Sequence, residues 1–87
     1  MDDQTRIDEI IDDMRGRLPL TVYRRHDGLR DIIGVAAQTL ANLDAAGEGP
    51  ENKIMLNGKV AYHREDLLRW VRSRMTVVSR CNHDGQD

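Results

Sequence analysis

A mainly α-helical domain carrying one small two-stranded β-hairpin is the fold class this sequence predicts, and three observations predict it. Several segments place apolar residues at helical spacing, glycines stand just past two of them, and an Asn-Gly dipeptide lies between two short apolar runs. At 87 residues the chain is expected to hold one small domain. A chain this short buries only about 60–65% of its unfolded surface, so a deep enzyme cleft is not expected.

Ile7, Ile10, Ile11 and Met14 fall at i, i+3, i+4 and i+7 with charged residues between them, which predicts an acidic amphipathic helix within residues 1–17. Thr5 followed by Asp8 has the form of a capping box, and Gly16 with Pro19 supplies the expected stop. The four-residue stripe needs a partner, either the body of the same domain or a second copy. Those four residues are therefore the candidate oligomerisation surface. Leu18 to Tyr23 reads as an extended or turn segment around Pro19, and Arg24 to Gly28 as a polar connection.

Leu29, Ile32 and Ile33 predict a short helix ended by Gly34, and Ala36 to Ala46 a longer one closed by Gly47. Two helices separated by a few residues around a glycine have the sequence form of a helix-turn-helix. Leu40 and Leu43 are expected to face the core. Ile54-Met55-Leu56 and Val60-Ala61-Tyr62 flank Asn57-Gly58, a pair suited to the positive φ angles of a type I′ hairpin turn. A last helix is expected from Arg64 to about Met75, with room to extend to residue 80. Leu67, Val71, Met75 and Val78 lie on one stripe of it, and Leu68 and Trp70 beside that stripe. Trp70 and Leu67 are expected in the core. The polar stretch 81–87 reads as a frayed tail, so the organisation is 1–17, 18–80 and 81–87.

The net charge of -2 hides a strong asymmetry. Residues 1–13 hold six acids and one base, residues 14–80 twelve bases and seven acids, and residues 81–87 two acids. A mildly basic body between acidic ends points to a polyanion, since Lys and Arg neutralising phosphate dominate nucleic-acid affinity.

Helix, turn, helix, Gly-rich connection, hairpin and closing helix follow the order of a winged helix-turn-helix. The wording is more specific than the order. Ile33-Gly34-Val35, Thr39-Leu40-Ala41-Asn42, Gly47-Glu48-Gly49-Pro50, the hairpin Ile54 to Tyr62, and Tyr62-His63-Arg64-Glu65-Asp66-Leu67-Leu68-Arg69-Trp70 resemble the excisionase family of small winged-helix DNA-binding proteins. That family includes phage excisionases and the AlpA-like and MerR-like regulators. The resemblance covers about residues 29–74 and leaves out the acidic helix and the tail. It implies a DNA-binding protein of a phage or mobile element that works without cofactor, with double-stranded DNA and an integrase as partners. It also implies side-by-side assembly of copies, or a homodimer.

In a helix-turn-helix the second helix enters the major groove, which makes Ala36, Ala37, Gln38, Thr39 and Asn42 the candidate base-reading residues. Asn and Gln bond adenine, and Ala meets the thymine methyl. Asn57, Gly58 and Lys59 at the wing tip, with Arg24, Arg25 and Arg64, are the candidate phosphate or minor-groove contacts. The sequence departs from the family in its second helix. Family members often carry Arg or Lys there and Trp where Leu43 stands, whereas Ala36 to Ala46 has no base and one acid, Asp44. Weak binding by a single copy is the expectation.

No Gly-rich phosphate loop or nucleophile motif occurs, and Cys81, His83, His26 and His63 do not form a zinc ligand pattern, so neither an enzyme nor a metal protein is expected. No apolar run approaches a membrane span, no basic-then-apolar leader opens the sequence, and a single cysteine makes no internal disulfide, which predicts a cytoplasmic protein. Two other readings fit the same sequence. One is a winged-helix protein-interaction or dimerisation module without strong DNA binding; the other is a DNA-recognition subunit of a phage packaging terminase.

Overall fold

The computed structural model describes residues 3–77. In chain order these form α1 (Asp3–Arg17), β1 (Thr21–Tyr23), α2 (Leu29–Ile33), α3 (Ala37–Ala45), β2 (Ile54–Leu56), β3 (Lys59–His63) and α4 (Arg64–Ser73). The domain is mostly helical with a small antiparallel sheet in the order β1-β3-β2. Val78, the tail and the possible extension of the last helix to residue 80 lie outside the described residues.

The hairpin forms where the dipeptide predicts it. Asn57 has φ 53° and Gly58 φ 78°, the two left-handed residues that a type I′ turn requires. Leu56 then pairs with Lys59, Met55 with Val60 and Ile54 with Ala61. The sheet is larger than the expected two strands. Thr21, Val22 and Tyr23 pair with His63, Tyr62 and Ala61, so the segment after Pro19 is a third strand. This places Val22 and Tyr62 side by side and fully buried, on the face that meets the helices.

The core gathers Ile11, Leu18, Val22, Leu29, Ile33, Leu40, Tyr62, Leu67, Leu68, Trp70 and Val71 into one cluster. Leu43 and Met75 pack against its rim. Trp70 takes the expected core position and donates its indole N–H to the Glu48 carbonyl at 2.9 Å, fastening α4 to the Gly-rich connection.

α1 departs from its sequence reading at both ends. It already runs from Asp3, so Thr5 lies inside its first turn and not at the N-cap position. It also continues through Gly16 to Arg17 and stops where Leu18 precedes Pro19, because proline disfavours the α conformation of the residue before it. Of the two partners the sequence leaves open for its stripe, the body of the same domain is the one it meets. Ile11 is buried, Ile7 and Met14 pack on the same core, and Ile10 alone of the four is exposed. Ion pairs join Asp8 to Arg72 and Arg15 to Glu65, so α1 lies along α4. Residues 3–17 are therefore part of the main body, and Ile7, Ile11 and Met14 are not an open oligomerisation surface.

α4 is capped by His63, whose Nδ1 accepts the Glu65 backbone N–H at 3.0 Å. It ends two residues before the expected Met75. No described helix is long and apolar enough to cross a membrane.

Candidate nucleic-acid interface

α2 and α3 are joined by Gly34, Val35 and Ala36. Gly34 ends α2 at φ 78°, and its N–H bonds the Arg30 carbonyl at 2.8 Å. α3 closes with paired bonds, Glu48 N–H to the Leu43 carbonyl and Gly47 N–H to that of Asp44, around a left-handed Gly47. Leu40 is fully buried on its inner side. Gln38, Thr39 and Asn42 are exposed on the outer side, while Ala36 and Ala37 are half-buried at its start. The Gln38 side-chain amide donates to Asn42 Oδ1 at 3.2 Å.

The only acid of α3 does not face outward. The Asp44 side chain is 5% exposed, and its Oδ2 accepts from Arg24 Nη2 at 2.6 Å and from the Tyr62 hydroxyl at 2.5 Å. Arg24 Nε closes the triangle on the Tyr62 hydroxyl oxygen at 3.2 Å. An acid at a helix C-terminus opposes the helix dipole, and the guanidinium offsets it. Gly49 backs the carboxylate, since a Cβ there would overlap Asp44 Oδ1 and come within 2.9 Å of Cγ. The latch joins α3, the end of β1 and β3, and leaves the outer face of α3 uncharged. It also withdraws Arg24, whose side chain is 19% exposed, from the free phosphate-contacting role expected for it.

Burial, and then the bond to Asp44, push the Tyr62 phenol up to about 12, against the opposing influence of Arg24. Because the folded value lies above the ordinary value of 10.0, this contribution to stability is complete below about pH 10 and is lost as the pH rises towards 12. In a Tyr23→Phe background, phenolate absorbance should therefore appear together with alkaline unfolding, and not before it. Phenolate formation with circular dichroism unchanged would contradict the latch. At the α1–α4 seam the sign is opposite. The bond from Arg15, opposed by some burial and aided by Arg64, holds Glu65 below the usual carboxylate range, so its contribution fades in acid.

Two concave surfaces meet beside α3. One, of about 480 Å³, lies between Tyr23, Arg24, Arg25 and the hairpin residues Gly58, Lys59 and Val60. The other shares Arg24 and Arg25 and continues past His26 and Arg30 to Ala36 and Ala37. Together they make one strip from the hairpin tip to the N-terminus of α3, lined by no acid. Asp27 and Asp31, the nearest acids in sequence, line neither half. Arg25, Arg30 and Lys59 are exposed there and have no ion-pair partner among the described residues.

The strip brings together Ala36, Ala37, Arg25, Gly58 and Lys59 from the candidates, with Asn57 exposed at the hairpin tip and Gln38, Thr39 and Asn42 on the adjoining face of α3. It does not include Arg64. That residue starts α4 at the far end of β3, about 17 Å along the strand from Lys59, and bonds Glu65 and the Leu18 carbonyl. Arg30 is the member that sequence reasoning missed. The signal was present: in α2 the core takes Leu29 and Ile33, which turns Arg30 outward next to the turn.

Comparison with protein-family models, curated proteins and solved structures returns no match.

Proposed function

We propose that this chain is a small DNA-binding protein of winged helix-turn-helix type, with α3 in the major groove and the β2–β3 hairpin as the wing on the adjacent backbone or minor groove. The observation that carries this reading is the acid-free strip. It gathers Arg25, Arg30 and Lys59, three cations with no ion-pair partner among the described residues, between the hairpin tip and the start of α3. Cations that follow a backbone position a protein on a duplex, while an uncharged helix face beside them is left to meet base edges. The half-buried Ala36 and Ala37 put small side chains where helix and groove come closest. Within this class, the sequence resemblance favours an excisionase or transcription regulator of a phage or mobile element.

Fluorescence anisotropy with labelled duplex DNA tests the reading. Three phosphate contacts predict that log affinity falls against log salt with a slope of about -3. No binding at either low or moderate salt would overturn the proposal.

One observation favours the second reading, a protein-interaction module. β2 is an edge strand whose three side chains, Ile54, Met55 and Leu56, are 39%, 64% and 40% exposed. Unpaired strand edges of this kind pair with other chains. This reading predicts a concentration-dependent mass in sedimentation that drops when Met55 is replaced by Lys, together with no salt-dependent DNA affinity.

A further inference from the structure

We infer that Gln38 and Asn42 act as one unit that reads a single adenine in the major groove. The inference rests on the DNA-binding reading and goes beyond it to the base that is recognised. The two side chains stand one helical turn apart on the exposed face of α3, and the Gln38 amide nitrogen donates to Asn42 Oδ1 at 3.2 Å. That bond leaves Gln38 Oε1 as an acceptor and Asn42 Nδ2 as a donor, besides the second Gln38 Nε2 hydrogen. Exchanging O and N in both amides preserves the bond and again leaves one amide oxygen and one amide nitrogen outside it.

Adenine is the base whose major-groove edge complements such a pair, with the N6 amino group as donor and N7 as acceptor. Guanine presents two acceptors, N7 and O6, and so offers no donor to the amide oxygen. Cytosine offers a donor only, and thymine an acceptor beside a methyl group. The rest of the helix agrees with this choice. Residues 37–45 contain no Arg or Lys to fork onto guanine. Ala41 and Ala45 share the face of Gln38 at i+3 and i+7, and Thr39 lies one turn before Asn42, so only small uncharged groups flank the amides. Asp44, the residue that would favour cytosine, is held inward by Arg24 and Tyr62. Because the amides already hold each other, they meet the base with part of their side-chain freedom spent before binding.

The test uses the full chain and a pool of randomised DNA duplexes, from which bound sequences are selected. The wild-type protein should enrich one adenine position. Gln38→Ala and Asn42→Ala should each reduce the preference for that adenine by about tenfold, and the double variant should lose no more than either single one. Replacing that adenine by an analogue lacking N7 should have the same effect on the wild type and none on the variants. Both residues are exposed, so circular dichroism and the salt slope should remain unchanged. Enrichment of guanine, additive losses at two different base positions, or duplex binding without base preference would overturn the inference while leaving the DNA-binding reading intact. Failure to bind any duplex at low salt would overturn both.

Discussion

Replacing Arg24 by Met should lower the unfolding free energy by about 3 kcal/mol, the low end of what removing one partner of a buried ion pair costs. The loss comes from the group left behind. The Asp44 side chain is 5% exposed at the C-terminal end of α3, where the helix dipole already opposes a negative charge, and only the Tyr62 hydroxyl remains to bond it. Small domains are stable by about 5–15 kcal/mol, so a substantial share of the total is at stake. Urea denaturation should show the midpoint falling at an unchanged slope. Arg25→Met, one residue away but exposed and unpaired, should stay within about 0.5 kcal/mol of the wild type. Adding Asp44→Asn to Arg24→Met removes the stranded charge and should recover much of the loss, a non-additivity that marks the two as one unit. Equal stabilities for the Arg24 and Arg25 variants would show that the latch contributes nothing.

The triple variant Arg25→Ala/Arg30→Ala/Lys59→Ala should lose about two to three orders of magnitude in duplex affinity near 0.1 M salt, because each phosphate contact adds about 0.9 to the salt slope. The three residues are exposed and take no part in the core, so unfolding should be almost unchanged. A comparison variant, Arg17→Ala/Arg69→Ala, removes surface cations already engaged by Asp13 and Asp66. Its salt slope should match the wild type. An unchanged slope in the triple variant, or an equal fall in the comparison, would show that phosphate does not follow the strip.

What the sequence made legible was whatever a local backbone rule governs. Gly34, Gly47 and the Asn57-Gly58 pair each require a left-handed φ, and that requirement is contained within a few neighbouring residues. The helices that these residues bound could therefore be read, as could the inward Leu40 and Trp70. The third strand could not be read, because Thr21, Val22 and Tyr23 become a strand only by pairing with residues some forty positions later. Pairing between charges was hidden for the same reason. Arg24 and Arg25 are adjacent and look alike in sequence, yet one faces a buried carboxylate contributed by α3 and the other faces open water. The α1 stripe showed that a partner was needed but not which one; the two ion pairs and the buried Ile11 against α4 identify it.

The closure of the domain by its two ends has a consequence for its synthesis. Thr21 waits for His63, and Arg15 for Glu65, which is 50 residues further on. At about 5–20 residues per second, roughly 2–8 s of translation separate the emergence of β1 from that of its partner strand. During that interval Ile7, Ile11, Met14, Leu18 and Val22 have no native surface to cover them, and only α2 and α3 have native neighbours close by in the chain. The acids interspersed along α1 are then the main guard on the nascent segment, because like-charged chains growing side by side repel before their apolar stripes can meet. The α1 acids, of which Asp8 later pairs with Arg72, therefore also protect the chain while its core is still incomplete.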